Sequence, residues 1–448
     1  MVNELRALLR DNIASAPPDD ADLSTVLSRG RRLRRRRQLT LVGGTAVAAV
    51  TVTTLAVLAP FGGTGADGTG LADEPPTPDA PTIRLADAEP AVEGRDYDVL
   101  ATHTNENLDR RNGQYLDGVT DDGLILFTDG PRGVHHTVRR ALMDPVTQEK
   151  NWLPQPPGNS NMELWPIDLG AERLVFTGVR YGGGDHSELV GMVFDRQAGT
   201  WQRLTWPGLG NVEDFAPGVV GPDGRLYVRA PATQGGPPPG GWPTDESGEA
   251  DDSDAPGDTY HLWSVSLTDP NDVRDEQLSV GDVAFSGTLM VWTDGTNGDA
   301  GMIHTRDLAS GEEHSFDPKT GERCNLLNFG VSANRIVMSQ YCGDYGDVRD
   351  DRVQILSTDG RQVVTLQDDG VEGRVSSSGD SSVVTIQSAL RDAPGTYVYD
   401  LAGNRLLRVS DEHSSWSSDG WMHGGLFQWN TPVNDNHGAT QHLAEWRG

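Results

Sequence analysis

The chain has 448 residues and carries 36 basic against 66 acidic side chains, a formal charge of −30. A body this acidic is a poor binder of a polyphosphate chain, so nucleic acid is not expected as a partner. Lys150 and Lys319 are its only lysines, and Cys324 and Cys342 its only cysteines, so arginine supplies nearly all the positive charge.

Residues 1–38 form a basic tail with nine Arg and five acidic residues. Leu5, Leu8, Leu9 and Ile13 fall at helical spacing, which predicts a short amphipathic helix. Such a helix either lies on an anionic leaflet or binds a cytosolic partner. The tail ends in Arg29, Arg31, Arg32, Arg34, Arg35, Arg36 and Arg37. Directly after them, 21 uncharged residues from Leu39 to Ala59 use only Leu, Val, Ala, Gly and Thr. At ~1.5 Å per residue this run spans roughly 30 Å, the depth of a hydrocarbon core. Residues 39–60 are therefore predicted to cross a lipid bilayer as a transmembrane helix. Arginine stays preferentially on the cytoplasmic side, so the N-terminus is expected in the cytosol and the rest of the chain outside. Two alternatives compete. A cleaved signal peptide would need a cut beside Pro60 and a shorter apolar run. A buried soluble helix is rarely preceded by seven arginines.

Residues 61–94 are rich in Gly, Pro and Asp and poor in large apolar side chains, which predicts a disordered linker. A second stretch of this kind, residues 232–258, is predicted as a disordered insertion in the body that follows.

From residue 95 to 448 the chain repeats. DDGLILFTDG, GAERLVFTGV, PDGRLYVRAP, FSGTLMVWTDG, SANRIVMSQY, SGDSSVVTIQS and HGGLFQWN each join a turn to a short apolar strand. A second strand, a polar turn and a third strand follow in the first six. The anchors Leu124, Leu174, Leu226, Leu289, Ile336, Val383 and Leu426 lie 50, 52, 63, 47, 47 and 43 residues apart. The longest interval contains the insertion. Repeats of this length, built from three or four antiparallel strands, are what β-propeller blades require. The predicted fold class is all-β, a β-propeller of seven blades, with six or eight also compatible. The last unit is short of strands, and RDYDVLATH, from Arg95 to His103, is available to close the ring and remove its edges.

Through repeats such as VFDRQAGTWQRL and VYDLAGNRLLRV, the chain resembles single-pass actinobacterial membrane proteins with an extracytoplasmic propeller of the TolB or WD40-like superfamily. The resemblance covers roughly residues 95–448 and implies the fold. It leaves function open, because propellers host lectins, hydrolases, oxidoreductases and scaffolds.

No GxSxG elbow, HExxH pair or phosphate-cradling GxxxxGK[ST] loop occurs. The adjacent His135 and His136 would face opposite ways in a strand, so they cannot share a metal. Neither metal nor cofactor is expected. The most unusual stretch is WSSDGWMHGGLFQW, in which Trp416, Trp421, Trp429 and His423 form a candidate ligand or partner face. Packing of the same tryptophans between blades is the competing reading. Trp421, among glycines, is expected to be the most exposed of the three. CNLLNFGVSANRIVMSQYC reads as two strands and a turn, so Cys324 and Cys342 are expected to form a disulfide outside the cytosol. The functional expectation is a membrane-anchored, extracytoplasmic propeller that binds a ligand or protein without catalysis. Its alternatives are an enzyme acting on glycans, or a sensor whose tail contacts a regulator in the manner of anti-sigma factors. That tail lacks the zinc-binding HxxxCxxC pattern of many such proteins.

Overall fold

The computed structural model describes residues 80–448, apart from internal stretches of which 234–256 and 343–350 are the longest. The basic tail, its seven arginines, residues 39–60 and most of the linker lie outside the described residues. Among the described residues no helix is long and apolar enough to cross a membrane.

Three strands come first, two of them short: β1 (Thr82–Ile83), β2 (Glu89–Pro90) and β3 (Tyr97–Asn105). Six antiparallel four-stranded blades follow. Blade 1 is β4 (Asn112–Val119), β5 (Ile125–Pro131), β6 (Arg139–Met143) and β7 (Lys150–Trp152). Blade 2 is β8 (Met162–Leu169), β9 (Arg173–Tyr181), β10 (Ser187–Asp195) and β11 (Thr200–Leu204). Blade 3 is β12 (Ala216–Val220), β13 (Arg225–Thr233), β14 (Thr259–Ser266) and β15 (Val273–Val280). Blade 4 is β16 (Val283–Ser286), β17 (Leu289–Thr293), β18 (Ile303–Asp307) and β19 (Glu313–Phe316). Blade 5 is β20 (Asn325–Ser332), β21 (Arg335–Tyr341), β22 (Arg352–Ser357) and β23 (Gln362–Gln367). Blade 6 is β24 (Val371–Arg374), β25 (Val383–Ser388), β26 (Gly395–Asp400) and β27 (Arg405–Ser410). In blade 7, β28 (Leu426–Val433) and β29 (Gly438–Trp446) are joined by β3 from the front of the propeller. Tyr97 pairs with Trp446 and Thr104 with Thr440, so the earliest long strand closes the ring and no blade edge faces a gap there. The fold is a seven-bladed β-propeller.

Local chemistry sets the hairpins. Asp195, Asp307 and Asp400 each end a third strand, Asp144 directly follows one, and all four accept a backbone N–H from two or three residues on, at 2.7–2.9 Å. An aspartate in this role supplies the turn with an acceptor before the fourth strand begins. The first strands of neighbouring blades touch, β4 with β8, β8 with β12, β16 with β20 and β20 with β24, which sets them around the axis. Each seam between blades has its own apolar filling. Leu126 and Leu142 meet Phe176 and Met192 between blades 1 and 2, and Val383 and Leu407 meet Phe427 and Trp446 between blades 6 and 7. Both faces of a blade are therefore buried.

Two expectations about disorder need correction. The linker does not extend to residue 94. β1 lies parallel on β23 at the edge of blade 5, and β2 lies parallel on β27 at the edge of blade 6. Between them Leu85, at 2 % exposure, plugs the seam of these two blades. Open strand edges accept backbone pairing without demanding apolar side chains, and one leucine anchors the rest. At the insertion, Ala232 and Thr233 already pair with Tyr260 and Thr259, and Asp258 bridges Thr296.

Candidate functional site

One end of the axis gathers charge. β8 is bulged between Pro166 and Asp168, which stands one residue before the end of its strand. Asp168 is influenced electrostatically by Asp121, Arg173, His423 and Asp380. These belong to blades 1, 2, 7 and 6, so only the neighbourhood of the axis can bring them together. Burial pushes the Asp168 carboxyl up to about 6 from an ordinary 3.8. Arg173 opposes that rise, Asp121 adds to it, His423 opposes it and Asp380 adds to it.

The surrounding turns are fixed by backbone contacts. The Asp121 N–H donates to Leu169 O at 3.0 Å, tying the turn after β4 to the end of β8. His423 Nε2 lies 3.0 Å from Val119 O, and a carbonyl only accepts, so this nitrogen carries the proton. That orientation turns Nδ1 toward Asp380, whose Oδ2 is 3.7 Å away. On the other side the turn after β24 reaches blade 4. A Cβ on Gly379 would stand 1.7 Å from Phe285 O, so a side chain there would force these turns apart. Ser332 donates to Ser381 O and joins blade 5 to the same assembly.

Three carboxyl groups and an imidazole, one carboxyl partly protonated near neutral pH, suit a positively charged organic group or a proton. Among the described residues, no three His, Cys, Asp or Glu side chains stand together in a way that could hold a metal ion. A separate cleft of about 690 Å³ opens between blades 1 and 2, floored by Leu142 and Phe194. Its Arg196 is held by both carboxylate oxygens of Asp122, at 2.7 and 2.8 Å. Glu172 and Asp195 also line it.

Of the expected tryptophan face, Trp416 and Trp429 are among the described residues. Trp429 is 5 % exposed and stacks on His442 at 4.7 Å and Phe427 at 5.5 Å, with Tyr97 edge-on at 5.8 Å. It does point away from Leu426, but in a propeller the opposite face is another seam. Trp416 is half-buried, and its Nε1 donates to Asn436 O at 2.8 Å. Trp421 lies outside the described residues, as do His135 and His136. Of the three candidates among the described residues, His423 joins the axial cluster. Cys324 and Cys342 are bonded as a disulfide across the open end of the β20–β21 hairpin, with Cα atoms 4.7 Å apart. Asp121, Asp168 and Asp380 escaped the sequence reading. Asp121 and Asp380 were visible as turn acids in DDGLIL and SGDSSVV, whereas Asp168 had no local signal.

No family model matches the chain, and no curated protein matches it. Among solved structures it is similar to TolB from Acinetobacter baumannii, at 14% identity over 58% of this chain and 54% of that one, with a TM-score of 0.34. The chain thus spans about half the length of that protein. It is also similar to the β-propeller domain of the Trilobed protease from Pyrococcus furiosus, at 10% identity over 56% and 72% of the two chains, TM-score 0.35. A prolyl endopeptidase matches at 11% identity over 76% and 55%, TM-score 0.37. Likenesses this distant concern the fold alone. The blade count rests on the chain's own strand pairing.

Proposed function

We propose that this chain is a membrane-tethered binding propeller that takes a cationic group at the axial cluster of Asp121, Asp168, Asp380 and His423. The observation that carries the reading is the Asp168 carboxyl, pushed up to about 6 in the company of two further carboxyl groups. A bound cation would favour its ionised form and relieve the repulsion among the three. Spermidine is a suitable probe, titrated by calorimetry into the purified chain. Affinity should rise between pH 5 and 7 as Asp168 ionises, and Asp168→Asn should lower it tenfold or more. Binding that ignores both pH and the substitution would sink the reading.

The tether belongs to the same proposal and rests on sequence: residues 39–60 cross the bilayer, and the seven arginines keep the tail in the cytosol. External protease applied to wall-free cells should release the propeller by cutting between residues 62 and 79. Protection until lysis would reverse the orientation.

A second reading is favoured by the same carboxyl. An acid that stays partly protonated near neutral pH beside ionisable partners is what glycoside cleavage uses. Release of reducing ends from cell-wall glycans, abolished by Asp168→Asn, would establish that activity in place of simple binding.

A further inference from the structure

The outer seam where the ring closes carries a different chemistry. There blade 1 turns one face toward β3 of blade 7. Along β7, Lys150 and Trp152 share this face, while Asn151 and Leu153 turn to the other. Register sets Trp152 opposite Ala141, and Ala141 opposite Phe127. The Lys150 ammonium stands 3.8 Å from the centre of the Phe127 ring. The Arg139 guanidinium stands 4.4 Å from the centre of the Trp152 ring. From β3, His103 meets Phe127 edge-on at 5.4 Å, and its Nε2 is buried without a hydrogen-bond partner. Trp152 is 42 % exposed, so part of its indole faces solvent.

The charges here are unevenly matched. Asp129 accepts from Arg139 and, at 2.9 Å, from Gln114, which occupies both of its oxygens. Lys150 makes no ion pair among the described residues. Among the described residues the Asp129 carboxylate attracts it through space without making an ion-pair contact. Arg139 keeps unused donors as well, since a guanidinium has five N–H groups and Asp129 takes few of them. Two cations and a part-exposed aromatic ring thus meet at one seam.

We propose that this seam binds an acidic saccharide, a sugar ring bearing a carboxylate. Lys150 and Arg139 take the carboxylate, and the open indole surface of Trp152 packs on the sugar ring. The net charge of the chain does not forbid an anion here, because exposed charges beyond ~8 Å are largely screened at physiological salt. The proposal is independent of the cation at the axial cluster, which lies on the axis and uses none of these residues.

Trigalacturonate is the probe, with maltotriose as the neutral trisaccharide of similar size and inorganic phosphate as the bare anion. Calorimetry on the full-length chain should give trigalacturonate binding that weakens with salt, and maltotriose binding about tenfold weaker or absent. Lys150→Met keeps the stem over Phe127 and should reduce affinity about tenfold, whereas Lys319→Met should change nothing. Trp152→Ala should also weaken binding while the melting temperature holds. A test without variants is available, because the chain has two lysines: trigalacturonate should slow chemical acetylation of Lys150 and leave Lys319 unaffected. The proposal falls if trigalacturonate fails to bind at millimolar concentration, or if both lysines are modified equally with and without it. Phosphate binding as tightly as trigalacturonate would reduce the seam to a simple anion site and overturn the saccharide.

Discussion

The side-chain amide of Gln441 holds the backbone of Leu116 from both sides. Its Nε2 donates to Leu116 O at 2.9 Å, and its Oε1 accepts from Leu116 N at 2.7 Å. Gln441 lies on β29 of blade 7 and Leu116 on β4 of blade 1, so one side chain satisfies a first strand across the closing seam. Both residues are buried. Gln441→Leu keeps the volume and removes both bonds together with the 3.0 Å bond from Gln441 Nε2 to Gln428 Oε1, leaving a buried N–H and C=O unanswered. The expected cost is about 2–4 kcal/mol in denaturant unfolding. Thr177→Val, which breaks only the 3.2 Å bond from Gly218 N to Thr177 Oγ, should cost about half as much.

Asp168 makes stability depend on pH in the direction opposite to most carboxylates. Its folded value of about 6 exceeds the ordinary 3.8, so between those values the folded state holds more protons than the unfolded one. Stability contributed by the protonated form is therefore lost as pH rises through that window, on the order of 3 kcal/mol in all. Asp168→Asn should gain stability over the parent at pH 7.5 and differ little from it at pH 4. Unfolding curves at the two pH values provide the check. The ion-paired Asp96 and Asp122, held low by Arg95 and Arg196, contribute the opposite slope to both proteins and cancel in the difference.

Leu85 should be the anchor of the segment that crosses blades 5 and 6. β1 and β2 have two residues each, too few to hold the segment by backbone pairing alone. Leu85→Ala empties a fully buried site and should cost about 2–4 kcal/mol. Amide exchange at Thr365, which donates to Pro81 O, and at Ala91, which donates to Arg408 O, should quicken before the blades themselves open.

Trp429 and Trp416 should separate in stability measurements. Trp429→Ala removes a ring packed among Tyr97, Phe427 and His442 and should cost about 3–5 kcal/mol. Trp416→Ala loses one hydrogen bond and partial burial, and about 1 kcal/mol is expected. Equal losses would place Trp416 in the core as well.

The second strands were legible in sequence because each is covered on both faces by neighbouring blades, so it reads as an apolar run between turns. Val175, Val228 and Val291 are all 0 % exposed. The first strands were not legible. NGQYLDGV, MELWPIDL and VEGR carry Asp, Glu, Gly and Pro, because a strand whose outer edge borders the axis has no further strand to pair with. One signal in plain view was the hydroxyl recurring in FTDG, FTGV, WTDG and MSQY. Thr177 and Ser339 use it to accept an N–H from the first strand of the next blade, while Thr293 accepts from Asp282 N within its own blade. The axial cluster could not be read locally, since Asp168 meets His423 and Asp380 only through the closure of the ring. His423 was singled out for its aromatic neighbours in sequence, and its partners in space are acids.

Closure by β3 also sets a timetable for synthesis. Arg447 pairs with Asp98 across 349 positions of the chain. At roughly 5–20 residues per second, the segment that completes blade 7 leaves the ribosome about 20–70 s before the hairpin it must join. Throughout that interval Tyr97 has no seam to enter, Leu85 has none until blades 5 and 6 are made, and the ring stands unsealed. The chain is therefore most exposed to aggregation while it is being made, and a holdase that occupies residues 82–105 until β29 emerges would shorten the hazard more than any increase in the stability of the finished ring.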